Sequence, residues 1–222
     1  MINWNAIDTV LLDMDGTLLD LHFDNYFWLT HLPDRYAAIH QLDAEVAKNH
    51  LHEQIRALEG TLNWYCLDYW SDALQVDIPA LKAEISEKIQ IRPHVELFLD
   101  RLRGAGKECV LITNAHPDSL SLKLKVTGIG ARLDKVISSH ELKYPKEAQP
   151  FWQALQQRLH FDPARTLFID DTVRILASAQ TFGIAHLLCI HQPDSKQPRT
   201  IEGFPAIDHF DEIMPDIYQR PD

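Results

Sequence analysis

The chain has 222 residues, 45% of them hydrophobic, and 21 basic against 32 acidic residues leave it a net charge of −11. That length suits one large domain or a core with a smaller insert. The acidic balance excludes a broad nucleic-acid surface, which needs clustered positive charge, and no apolar stretch approaches a membrane span.

The opening residues, Met1-Ile2-Asn3-Trp4-Asn5, lack the basic and apolar regions of a signal peptide, so a cytoplasmic location is expected. Cys66, Cys109 and Cys189 are widely spaced and match no metal-finger or redox pattern; they read as three reduced structural thiols. The partner left by these exclusions is a small molecule, an anionic one included, since such a site needs only a few local cations or backbone N–H groups.

Short apolar runs alternate with amphipathic stretches, which predicts an α/β fold with a parallel sheet. The first strand, Thr9 to Asp13, runs into Asp13-Met14-Asp15-Gly16-Thr17. Two carboxylates one residue apart repel unless a cation or shared proton compensates. Gly16 permits a sharp turn there. About 95 residues separate this strand from the next, against the dozen or so that a crossover needs. Residues 21–90 carry helical period and no convincing strand. Pro33-Asp34 starts a long segment ending at Gly60, followed by helices over Leu62 to Leu74 and Pro79 to Ile89. This insert reads as a small helical bundle over the sheet edge, hinged at Leu19 to Asp24 and Ile91 to His94.

Beyond it the alternation resumes. A helix over Val95 to Arg103 precedes a strand over Cys109 to Thr113. A helix over Asp118 to Thr127, stopped by Gly128, precedes a strand over Lys135 to Ser138. Glu147 to Leu159 is helical before the strand Thr166 to Asp170, and Val173 to Phe182, closed by Gly183, precedes the strand Ala185 to Ile190. The last 30 residues, rich in Pro and Asp, read as a surface-packed tail.

Polar groups recur at the strand ends: Asp13 and Asp15, then Thr113-Asn114, then Asp170-Asp171. In an open parallel sheet these ends share the edge where ligands bind. Four carboxylates converging there need a cation, and oxygen-only ligands favour a hard one, Mg²⁺ above others. Each residue has a plainer reading alone, Asn114 as a turn residue and Asp171 as a helix cap. An anionic substrate needs a further cation. Tyr144-Pro145-Lys146-Glu147 supplies Lys146, with Lys143 as its competitor.

In this order, Asp13-x-Asp15-Gly16-Thr17, Thr113-Asn114, Lys146 and Asp170-Asp171 resemble the four motifs of the haloacid dehalogenase-like hydrolase superfamily. The insert stands where that family places a helical cap, between the first and second motifs. Glu147 departs from the pattern, because many members have Pro directly after the lysine. The resemblance implies a Rossmann-like core over residues 1–20 and 91–222 and a cap domain over 21–90. It implies a Mg²⁺-dependent phosphomonoester hydrolase working through an aspartyl-phosphate. Asp13 would be the nucleophile, and Asp15 would protonate the leaving alcohol and then deprotonate water. Asp13, the Asp15 carbonyl and Asp171 would hold the metal with support from Asp170. Thr113, Asn114 and Lys146 would hold the phosphoryl group. Members that cleave carbon–halogen bonds lack an acid at the Asp15 position, which disfavours a dehalogenase.

The insert should choose the substrate. Its aromatic clusters, His22 to Trp28 and Thr61 to Trp70, are most simply core of the insert. Their alternative role is a stacking surface for a planar base, with Trp64 in it and Asp24, Asn25, Asn63 or Asp68 reading the base edge. His116 either contacts substrate or opens the next helix with Pro117. The first-motif run, Thr-Leu-Asn-Trp-Tyr-Cys-Leu-Asp-Tyr-Trp and Thr-Asn-Ala-His-Pro resemble the bacterial GMP/IMP nucleotidase subgroup, which implies purine monophosphates as substrates. The alternatives are a sugar-phosphate phosphatase or phosphomutase, and a non-catalytic binding module on the same fold.

Overall fold

Six parallel strands form one sheet in the computed structural model, which describes residues 2–215. The chain enters at β1 (Thr9–Leu12), passes through six short helices, α1 (His22–Tyr26), α2 (Leu32–His40), α3 (Ala44–Ala57), α4 (Leu62–Tyr65), α5 (Leu67–Leu74) and α6 (Ile78–Ala83), and returns through α7 (Val95–Gly104). Then follow β2 (Glu108–Thr113), α8 (Pro117–Thr127), β3 (Lys135–Ser138), α9 (Ser139–Leu142), α10 (Gln149–Leu159), β4 (Thr166–Asp170), α11 (Val173–Phe182), β5 (His186–Ile190) and β6 (Ala206–Ile207). The strand order is β3-β2-β1-β4-β5-β6. β1 lies between β2 and β4, with Leu12 opposite both Leu111 and Ile169, so the residues following these strands emerge together at one edge.

The strands are continuous apolar runs because both sheet faces are covered. Val10, Leu12, Leu111 and Ile169 face the side packed by Val95, Phe98 and Leu99 of α7. Leu11, Val110, Ile112 and Phe168 face Phe151, Trp152 and Leu155 of α10 and Leu176 of α11. The helical insert leaves and rejoins the sheet through two adjacent connections. Leu19 bridges Ile91, Asp20 N–H donates to the Gln90 carbonyl at 2.9 Å, and Arg92 N–H donates to the Leu18 carbonyl at 3.0 Å.

Several boundaries differ from the sequence expectation for identifiable local reasons. The segment after Pro33 is two helices, broken at Gln41, which adopts φ 54, and restarted by Asp43, whose side chain accepts from Glu45 and Val46 N–H. Pro33 does not begin a helix; helical backbone runs from His22 through a π turn over Phe27–His31 into α2. Leu62 to Leu74 breaks at extended Cys66, and Pro79 to Ile89 reduces to α6 and a 3₁₀ turn over Ser86–Lys88. Glu147 precedes α10 rather than opening it. The tail is more than surface: it supplies β6, and Phe210 is buried with its ring 4.6 Å from that of Phe98. The tail beyond 215 lies outside the described residues.

Candidate active site

The loop after β1 is drawn tight by its own backbone. Asp13 N–H donates to the Ile169 carbonyl at 3.0 Å, which fixes Asp13 beside the end of β4. Leu18 and Leu19 N–H both return to the Met14 carbonyl, and Gly16 turns the chain at φ 81. A Cβ on Gly16 would meet the Asp171 carboxyl at 2.8 Å and Pro193 at 2.9 Å, so only glycine lets the two loops approach this closely.

Lys146 is the hub of the site. Its Nζ donates to Asp170 Oδ2 at 2.7 Å and to Asp13 Oδ1, and its own N–H donates to Asn114 Oδ1 at 3.0 Å. Its carbonyl accepts from Trp152 Nε1 at 2.9 Å, and the side chain is 1% exposed. Lys143, the competitor, is an exposed helix C-cap with φ 66. Thr113 is buried at the end of β2, its Oγ1 accepting from Ala115 N–H at 3.0 Å.

Asp13, Asp170 and Asp171 are all buried, and one oxygen from each lies within 4.8 Å of the others. Burial pushes Asp13 and Asp170 up to about 6 against the pull of Lys146, and burial with the Asp13 charge pushes Asp171 up to about 7. The Lys146 ammonium and the Arg199 guanidinium, 3.9 Å from Asp171 Oδ2, thus face three carboxylates. An all-oxygen donor set with charge in excess fits a hard divalent cation. Asp170 already gives one oxygen to Lys146 and the other to Thr172 N–H at 2.7 Å, so its contacts here hold the lysine and the loop.

Asp15 faces away from Lys146. Lys123 of α8 donates to Asp15 Oδ1 at 2.6 Å and to Asp24 Oδ2 at 2.7 Å, and Lys82 of α6 donates to Asp24 Oδ1 at 2.9 Å. The row Lys82, Asp24, Lys123, Asp15 therefore alternates in sign from the insert to the loop after β1, and both lysines are buried. Burial pushes Asp15 up to about 6 against Lys123, whereas the two lysines outweigh burial at Asp24 and take it down to about 2.

Above these groups is a cavity of about 320 Å³ between insert and sheet edge, at the small end of ligand-sized sites of roughly 300–1,000 Å³. Asp13, Asp15, Thr113, Asn114, Lys146, Asp170 and Asp171 all border it. Of the specificity candidates, Asp24, Asn25, Trp64 and His116 border it, and Asn63 and Asp68 do not. Both Asp24 oxygens are taken by lysines. Asn25 donates to Asp194 Oδ2 at 2.7 Å. Trp64 lies under Arg174, 5.6 Å from ring centre to guanidinium carbon. Asp68 is exposed, 3.4 Å from His116 Nε2.

Glu147 has a definite place. One carboxylate oxygen accepts from Tyr65 OH of the insert at 2.7 Å and lies 3.3 Å from Arg174 Nε, and the other accepts from Asn114 Nδ2 at 3.0 Å. Arg174 in turn reaches Glu59 of the insert at 2.7 Å. Sequence reading passed over Lys82, Lys123, Tyr65 and Arg174, and valued Glu147 only as a departure. For two of them a signal existed: Lys82 stands four residues after Ile78, and Lys123 three after Leu120, each on the buried face of its helix.

The haloacid dehalogenase-like hydrolase family model matches residues 7–183. The GMP/IMP nucleotidase YrfG of Escherichia coli (strain K12) is 42% identical over 217 residues, which span 97% of this chain and 98% of that one. Among solved structures, a HAD phosphatase from Thermococcus onnurineus superposes with a TM-score of 0.79 at 20% identity, over 93% of this chain and 96% of that one. CbbY from Rhodobacter sphaeroides, in complex with phosphate, does so with a TM-score of 0.67 at 13% identity, over 93% and 96%. These two share the fold. Among the described residues no helix is long and apolar enough to cross a membrane. The family match begins before β1 and ends after α11, taking in every strand end that borders the cavity, and the chain belongs to the haloacid dehalogenase-like hydrolase family.

Proposed function

We propose that this hydrolase is a Mg²⁺-dependent phosphomonoesterase that works through an aspartyl-phosphate, and that its substrates are purine nucleoside 5′-monophosphates, GMP and IMP first. The observation that carries the reading is Lys146 held between Asp13 and Asp170 beneath a cavity with an aromatic wall. The full-length likeness to a GMP/IMP nucleotidase supports the choice of substrate.

Lys146 orients Asp13, whose other carboxylate oxygen attacks phosphorus as the bond to the leaving oxygen breaks. Asp15 gives its proton to that oxygen and then takes one from the water that releases phosphate; a pKa of about 6 suits both directions near neutral pH. Thr113 and Asn114 hold phosphoryl oxygens from the end of β2. Asp13, the Asp15 carbonyl and Asp171 would hold Mg²⁺, which when bound offsets the charge between nucleophile and phosphoryl group.

Residues 21–90 act as a cap on the core of 1–20 and 91–222. Trp64 and Trp28 offer faces for the base, and Asn25 and His116, which border the same cavity, read its edge. Asp24 serves the lysines instead. A cytoplasmic enzyme accords with nucleotide substrates and three unpaired thiols.

Phosphate release with Mg²⁺ across GMP, IMP, AMP and a set of sugar phosphates tests the reading. The expected order places GMP and IMP highest in kcat/KM. Equal or faster release from sugar phosphates would overturn the nucleotidase assignment.

A further inference from the structure

Cys66, His116 and His140 are far apart in sequence and meet at the seam between insert and core. Each offers one metal-ligating atom, and the three atoms lie within 4.8 Å of one another. Cys66 is the extended residue between α4 and α5, with an unpaired thiol. His116 caps α8, and His140 lies in α9.

The state of His140 is the telling detail. Its Nε2 is buried without a hydrogen-bond partner among the described residues. Leaving a buried polar atom unpaired costs about 1–3 kcal/mol. A bare, buried imidazole nitrogen beside a second imidazole and a thiol has the disposition of a metal ligand. The His116 and His140 rings meet edge to face, with centroids 5.1 Å apart. Carboxylates flank His116 on both sides: Asp68 Oδ2 is 3.4 Å from Nε2, and Asp118 Oδ2 is 3.6 Å from Nδ1.

We propose that Cys66, His116 and His140 form a second metal site, selective for Zn²⁺ or a comparably soft divalent transition ion. A thiolate and two imidazoles prefer Zn²⁺ to Mg²⁺, the reverse of the all-oxygen set at Asp13, Asp170 and Asp171. As the sulfur–zinc bond forms, the Cys66 thiol proton passes to solvent, and nothing is oxidised or reduced. His116 Nδ1 accepts from Asp118 N–H at 3.4 Å; when Nε2 takes the metal, Nδ1 carries the ring proton and turns to the Asp118 carboxylate 3.6 Å away. Cys66 belongs to the insert and both histidines to the core, so an occupied site pins one to the other. Zn²⁺ is then an inhibitor that also takes His116 from the wall of the substrate cavity.

Cobalt(II), titrated into the full-length chain in excess Mg²⁺, reads the site directly. The expected result is a thiolate-to-cobalt charge-transfer band that saturates at one equivalent and is bleached by Zn²⁺. Cys66→Ser loses the band, His140→Ala weakens cobalt binding at least tenfold, and Asp171→Asn keeps it. No band in the wild-type chain overturns the proposal. So does a band that survives Cys66→Ser, which would put cobalt on Cys109 or Cys189. Mg²⁺-supported phosphate release is unchanged in Cys66→Ser without zinc, which reports a folded variant. One equivalent of Zn²⁺ slows the wild-type chain and spares Cys66→Ser; equal inhibition of both overturns the clamp.

Discussion

Lys123 Nζ lies 2.6 Å from Asp15 Oδ1, and the same ammonium holds Asp24 of the insert at 2.7 Å. The proton-carrying residue of the proposed reaction is thus tied through one lysine to the first helix of the insert. Lys123→Met leaves two buried carboxylates short of a partner. Removing one member of a buried ion pair typically costs about 3–5 kcal/mol, and urea unfolding should show a loss of that order. Because Lys123 pulls the Asp15 pKa down and Asp15 acts first as an acid, the variant's alkaline limb of kcat/KM should move to higher pH. Lys143→Met, on an exposed side chain, should stay within about 0.5 kcal/mol of wild type.

Asp13→Asn removes the proposed nucleophile and should lower phosphate release by about 10³-fold or more on every ester. Asp15→Asn should cost about 10²–10⁴-fold on nucleotides, whose alkoxide needs a proton to leave. It should cost much less in the first step with a nitrophenyl ester. Stopped-flow detection of nitrophenolate separates that step from the hydrolysis that follows. Equal loss with both leaving groups would remove Asp15 from the acid role.

Much of the molecule was legible in the sequence because it follows from periodicity and strand ends. The continuous apolar runs Val10-Leu11-Leu12, Val110-Leu111-Ile112 and Leu167-Phe168-Ile169 predict buried parallel strands, and all three pair as such. The short strand β6 was missed, since two residues carry no period. The insert's helices after Pro33 were found but not the one over His22–Tyr26, nor the breaks, because Gln41 and Cys66 interrupt helical backbone without the usual Gly or Pro. Asp24 illustrates the limit at the site: its type and place suit base recognition, yet its two oxygens are claimed by Lys82 and Lys123 from distant helices. A partner 58 or 99 residues away leaves no local trace.

Glu147 fastens Tyr65 of the insert and Arg174 to Asn114 of the core. Hydrogen bonds to a charged group are worth about 1.5–3 kcal/mol each, and in the proposed reaction part of that would hold the insert over bound substrate. Glu147→Ala should therefore raise KM for a nucleotide about tenfold, or about 1.4 kcal/mol, with a smaller change in kcat. Steady-state kinetics on GMP checks the split.

The acidic cluster sets the pH response of the metal-free protein. Asp13, Asp15 and Asp170 at about 6 and Asp171 at about 7 lie above the unfolded carboxylate value of 3.8. A carboxyl whose folded pKa is raised favours folding below its unfolded pKa and loses that contribution as pH rises through the folded one. In EDTA, the melting temperature should be higher near pH 5 than near pH 8. Added Mg²⁺ should raise it more at pH 8, where the ligands are ionised. Calorimetric scans at the two pH values, with and without metal, measure both effects.

The central place of β1 also bears on how the chain is made. It leaves the ribosome first, yet its two neighbours are β2 and β4. At roughly 5–20 residues per second, β1 waits on the order of 5–20 s for β2 and longer for β4. Throughout that interval the largely apolar strand Thr9–Leu12 lacks both neighbours, while the helices of the insert have already emerged. Asp13 therefore emerges early and the strand ends around it late, and the nascent chain passes through a stage in which the insert exists before the pocket it borders.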